Sequence, residues 1–146
     1  MWESRAGAGA LVIREGHVLM VLRERSGKVR WELPSGLLEG GEALEEVAAR
    51  ETLEETSVKV KVGQLFCTAV MDVPGERYRA INTYFCAFAD GTGATRPGKR
   101  DEPIQRAEFV DTSHLRSRDV HPVDRRILSR WRRKPDGKPF YFRITL

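Results

Sequence analysis

The chain is short of the residues and runs that mark whole classes of protein. Its 146 residues include only two cysteines, too few for the disulfide framework of a small secreted domain. Cys67 and Cys86 each sit in an apolar, strand-like run, where a buried, reduced thiol is the common state. No apolar run approaches the ~20 residues needed to cross a bilayer, so no membrane partner is expected. The stretch "MWESRAGAGALVIRE" lacks a basic segment followed by a long apolar one and a small-residue cleavage site. No secretory leader is therefore expected, and the cytoplasm is the default compartment. Repeats and low-complexity segments are missing too. What remains is globular composition, 40% hydrophobic and 32% charged, in a length that can bury its own core and is expected to form one domain over residues 1–146.

The net charge of +4 suits a protein that attracts small phosphorylated ligands, and charge alone leaves nucleic acid open as well. The densest basic cluster, "DRRILSRWRRK" at 124–134, sets Val123, Ile127 and Trp131 at helical spacing beside Leu128. That is the pattern of a surface helix with its apolar stripe inward and its arginines in water. Elsewhere strands dominate. Apolar runs at 10–13 and 18–22 flank Glu15-Gly16, a hairpin signal. "WELPSG" reads as a short extended piece, and residues 42–56 as one helix uninterrupted by glycine or proline. Strands follow over 58–73 and in "RYRAINTYFCAFA", then the long loop 90–103, a short strand "AEFVD", the basic helix and a last alternating strand in "FYFRITL". Two helices that do not alternate regularly with the strands favour an α+β or mixed-sheet sandwich.

Against this basic background, "GLLEGGEALEEVAARETLEETSV" at 36–58 holds seven of the 21 acidic residues. At about 100° per residue, Glu51, Glu54 and Glu55 continue the face of Leu44, Val47 and Ala48, the side expected to pack on the protein. Carboxylates turned inward repel one another and lose hydration, at several kcal/mol (order of magnitude) per buried ion, unless something positive lies between them. They also sit at the C-terminal end of the helix, where the macrodipole disfavours negative charge. A position so poor for stability suits a metal. Oxygen donors without cysteine or histidine nearby point to Mg²⁺ or Mn²⁺, and hence to phosphate chemistry. Gly36, Gly40 and Gly41 give the approach to the helix the freedom to wrap a ligand closely.

Gly36, Glu42, Arg50, Glu51, Glu54, Glu55 and Val58 fall in the fixed register of the signature that this stretch resembles, that of the Nudix hydrolase superfamily. Ser57 stands where the pattern has a glycine, Ser35 replaces another, and Thr52 takes an aliphatic position. A left-handed C-cap at Ser57 would cost about 1 kcal/mol against glycine. The resemblance implies an α/β/α sandwich with a mixed sheet, the catalytic helix at about 42–56 and a C-terminal helix; the final edge strand is read from the alternation of the tail and is not part of the family pattern. It implies Mg²⁺ or Mn²⁺ held by Glu51, Glu54 and Glu55 with Gly36 beside them, Arg50 orienting a glutamate, and a further acid from a late loop. Glu102 resembles that acid best, with Glu108 and Asp101 next.

The implied reaction is hydrolysis of a diphosphate bond in a nucleoside diphosphate linked to another moiety, of nucleoside triphosphate or of ADP-ribose and sugar-nucleotide type. Arg23, Trp31 and Tyr78 are the candidate substrate contacts; Phe66 could also stack on a base, but a buried-core role accounts better for Trp31 and Phe66. Pro74 lies where some ADP-ribose hydrolases carry a proline, at a site that is also a plausible turn. A small-molecule nucleotide is the expected partner. A nucleotide-sensing or RNA-binding module without turnover is the alternative, and the last strand leaves homodimerisation open.

Overall fold

The computed structural model describes residues 1–91, 95–97 and 103–146, with the side chains of residues 116 and 117 left aside. Strands β1 (Glu3–Arg14) and β2 (His17–Arg25) are joined at Glu15 and Gly16, both with positive φ, as a tight mirror-image turn requires. Ser26 and Gly27 repeat the device between β2 and β3 (Lys28–Glu32). β1 and β2 pair only through Ile13 with Val18 and Arg14 with His17. They then diverge: β1 runs parallel to β6 (Tyr78–Ala89), and β2 takes β3 on one side and β7 (Ile104–Asp111) on the other. The short β4 (Ser35–Leu37) pairs with the middle of β1. β5 (Val60–Val73) pairs with β6, and β8 (Phe140–Thr145) lies parallel to β5 at the edge.

Two helices cover the two faces of this mixed sheet, giving the expected α/β/α sandwich. α1 (Leu44–Thr56) packs Val47 and Ala48 on Ala8, Ala10, Val12, Phe85 and Ala87. α2 (Pro122–Arg133) packs Val123, Ile127 and Leu128 against Leu11, Cys67, Ala69 and Phe142 on the other face. Gly7 and Gly9 of β1 let the chain before α1 come close, since a Cβ on them would run into the carbonyls of Gly36 and Pro34. Ser57 ends α1 in the left-handed conformation at φ 63° and donates its N–H to Leu53 O at 2.9 Å. Among the described residues no helix is long and apolar enough to cross a membrane.

The last strand belongs to its own subunit's sheet. Phe142 is buried, Phe140 meets Phe66 edge-on with centroids 5.5 Å apart, and Arg143 reaches the buried Asp72 through Nε at 2.6 Å. The alternation fades at Leu146, which is exposed. A chain ending at Lys138 is expected to lose at least about 2 kcal/mol of stability with Phe142 alone, and to self-associate along the bared β5 edge. Denaturant titration and light scattering measure both effects; an unchanged midpoint with an unchanged mass would show that β8 is dispensable.

Candidate active site

α1, β4 and the β2–β3 hairpin converge on a cleft of about 390 Å³, closed on its far side by His121 and Asp124 at the start of α2. The helix begins at Leu44, two residues later than the composition suggests, because Glu42 is used outside it. Its carboxylate accepts from Arg50 Nε at 2.7 Å and Nη2 at 2.9 Å, and from the Glu39 N–H at 3.2 Å. Arg50 also donates to Glu51 at 2.8 Å, to Glu54 at 3.3 Å and to the Leu37 carbonyl at 3.2 Å. One guanidinium thus ties the loop before the helix to three carboxylates, and its own pKa is raised, first by the bond to Glu42.

The inward row of α1 is narrower than the helical wheel suggests. Glu51 and Glu55 are buried, with Thr52 and Thr56 beside them, while Glu54 stays at the rim, partly exposed. The Glu51 carboxyl lies directly on Gly36, where a Cβ would overlap it. Burial raises the Glu51 pKa, opposed by Arg50. Glu55, 1% exposed, accepts from Arg23 Nη2 at 2.7 Å and from the Ser35 N–H at 3.2 Å. Burial still pushes its pKa up to about 8, outweighing Arg23. Arg23, itself buried, faces Glu32 as well, Nε to Oε1 at 3.3 Å, and Arg25 grips Glu32 with two bonds of 2.7 and 3.1 Å.

Apart from the exposed Glu39, the network of described residues sets the five carboxylates of Glu32, Glu42, Glu51, Glu54 and Glu55 against the three guanidinia of Arg23, Arg25 and Arg50. Carboxylates thus outnumber guanidinia among the described residues of a half-buried site, and burial raises the pKa values of Glu51 and Glu55. A single divalent cation would relieve the repulsion between them, and the all-oxygen donor set suits Mg²⁺ or Mn²⁺. Among the described residues no three His, Cys, Asp or Glu side chains already converge as a ligand set; the oxygens that would serve are held by Arg23 and Arg50.

The other sequence candidates fall in different places. Tyr78 and Arg23 line the cleft. Trp31 is in the core, 5% exposed, beneath the guanidinia of Arg106 and Arg118, and Phe66 is in the core too. Glu108 is paired with Arg106 and Arg118. Glu102 and Asp101 lie outside the described residues. Pro74 opens a 3-10 turn between β5 and β6, a structural use that accounts for it. Sequence reasoning missed Glu32, Arg25, His121 and Asp124. The available signal was two arginines spaced by two at the polar end of β2, which places both on one face. Asp124 Oδ1 accepts the Leu33 N–H at 3.0 Å and pins α2 to the cleft. Burial raises its pKa.

Residues 3–131 match the family model described as NUDIX domain. Phosphatase NudJ of Escherichia coli O1:K1 is 38% identical over 121 residues, covering 80% of this chain and 78% of its own length. Among solved structures, a NUDIX hydrolase from Nitrosomonas europaea superposes with a TM-score of 0.77 at 23% identity, over 100% of this chain and 80% of its own. One from Streptococcus suis described as an ADP-ribose pyrophosphatase superposes with a TM-score of 0.68 at 14% identity, over 94% and 98%. At those identities the solved structures speak for the fold. The chain spans between 23% and 51% of the length of the first curated relatives it matches.

The Glu55 shift sets a pH dependence. Its folded pKa, about 8, lies above the ordinary glutamate value near 4.3. The stability it contributes is complete below the unfolded value and is lost as pH rises through the folded one. In the absence of divalent metal, Glu55→Gln is expected to be more stable than the parent at pH 8 by at least about 1 kcal/mol, the difference vanishing near pH 4. Denaturant midpoints in EDTA across that range measure it, and a difference independent of pH would refute it.

Proposed function

The chain belongs to the NUDIX domain family, and on that premise we propose that it is a divalent-metal-dependent pyrophosphohydrolase. Its reaction is the cleavage of a diphosphate bond in a nucleoside diphosphate linked to another moiety. The observation that carries this reading is the burial of the Glu51 and Glu55 carboxyls, with Glu54 at the rim, beside Gly36 and a cleft that also presents Arg23. A structural helix gains nothing from burying carboxylates, whereas a site that binds a cation between itself and a phosphate chain requires them.

Glu51, Glu54 and Glu55 offer the carboxylate oxygens for Mg²⁺ or Mn²⁺, with Gly36 bringing main chain close to them. A bound cation would screen the phosphate charge and lower the pKa of a water. Arg50 fixes Glu51 and Glu54 through charge-assisted hydrogen bonds, so their oxygens need little reorganisation. A glutamate of this cluster, or Glu102, accepts the proton from the attacking water. Arg23 and Tyr78 border the space in which the diphosphate and its leaving group lie. Nucleoside triphosphates and ADP-ribose or sugar nucleotides all carry the linkage, and the cytoplasm supplies them.

Incubation with a panel of these compounds and dinucleoside polyphosphates, in Mg²⁺ and separately Mn²⁺, tests the reading. Metal-dependent release of a nucleoside monophosphate is expected, identified by mass and lowered about 10²-fold or more in Glu54→Gln and Glu55→Gln. Tight nucleotide binding with no turnover of any compound would instead favour a sensor.

A further inference from the structure

Arg23 is placed unusually for a residue that borders a cleft. It is 4% exposed, and its guanidinium lies between two buried carboxylates, Glu55 on α1 and Glu32 on β3. Its two ends are not equivalent. Glu32, on one side, is held bidentately by Arg25 and so forms a fixed support. Glu55, on the other, belongs to the row of carboxylates on α1. One Glu55 oxygen, Oε1, accepts the Ser35 N–H at 3.2 Å, and the other, Oε2, is held by Arg23 Nη2 at 2.7 Å. The oxygen that does not accept from the main chain is therefore the one Arg23 occupies. A guanidinium and a divalent ion cannot share one carboxylate oxygen at contact distance without strong mutual repulsion.

We propose that Arg23 is a positioning residue that changes partners: without metal its Nη2 end holds Glu55, and a cation bound at Glu55 turns that end into the cleft, where it meets the phosphate chain while Glu32 retains the Nε side. The inference rests on the cation reading given above. In the metal-free protein Arg23 keeps Glu55 oriented. In the loaded protein the same guanidinium is delivered to the substrate without leaving its support. Phosphate affinity and metal binding are thereby coupled through one side chain, and by linkage the coupling runs in both directions.

The test uses the full chain with Mn²⁺ counted by electron paramagnetic resonance at pH 8, in the parent, Arg23→Met and Glu55→Gln. Arg23→Met is expected to bind Mn²⁺ about tenfold or more tightly, because no guanidinium has to be displaced, and to lose the mutual tightening between Mn²⁺ and a non-hydrolysable nucleotide. Equal or weaker Mn²⁺ binding in Arg23→Met, with binding still dependent on Glu55, overturns the exchange alone. Mn²⁺ binding indifferent to Glu55→Gln overturns the exchange, and no Mn²⁺ binding by the parent overturns the cation reading and the exchange with it. A second measurement needs no variant: the Arg23 side-chain Nε resonance of the parent should shift on adding Mg²⁺ and shift again on adding nucleotide. A resonance unmoved by Mg²⁺ sinks the proposal even if Arg23→Met fails to fold.

Discussion

The constraint on which the rest of the site depends is that buried carboxylates need positive charge close by. α1 turns Glu51 and Glu55 inward, and the surrounding fold is arranged to make that tolerable. Arg50 comes from the same helix and is held by Glu42, so it approaches from the side of the preceding loop. Arg23 and Arg25 come from β2, across the cleft, and share Glu32. Neither source alone reaches both buried acids. The divergence of β1 from β2 matters for this reason: if the two strands stayed paired along their length, β4 would have no place on β1, and Gly36 would not lie against Glu51.

Glycine supplies the space in which these charges meet. Gly7 and Gly9 let β4 lie close to β1, and Gly36 then admits the Glu51 carboxyl where any side chain would collide with it. By contrast Ser57 takes the left-handed position that favours glycine, and it lies beyond the last carboxylate. The cost of that departure is about 1 kcal/mol of local strain, carried by the helix end and not by the site. The signature glycine that touches the buried Glu51 carboxyl is present, and the one that only eases a turn is replaced.

Much of this was legible in the sequence. The hairpin at Glu15-Gly16, the extent of β5 and β6, both helices and the last strand all follow from period, turn chemistry and the absence of breakers. The acidic spacing marked the site because it contradicts what a solvated helix needs. Less legible was which inward positions are deepest. The 100° step groups Glu54 with Glu51 and Glu55, while the packing of Val47 and Ala48 rotates the buried row toward Thr52 and leaves Glu54 at the rim. The opposite wall was not legible at all. Glu32, Arg25 and Asp124 become neighbours of α1 only through strand pairing and the return of α2, contacts between residues far apart in the chain. Trp31 shows the converse: an aromatic beside a site in sequence can serve entirely as core.

The distribution of charge links the site to the whole molecule. Residues 112–134 hold eight lysines and arginines against two aspartates, a net +6, so the remainder of a chain of net +4 carries −2. The net positive charge of the chain thus comes from α2 and its approach. At a distance, a phosphorylated ligand of the kind proposed would be attracted to the side of the molecule that carries α2. Inside the cleft it would meet the carboxylates of α1, whose repulsion a cation would have to screen on the proposed reading. Long-range attraction and local repulsion would then be separated in space.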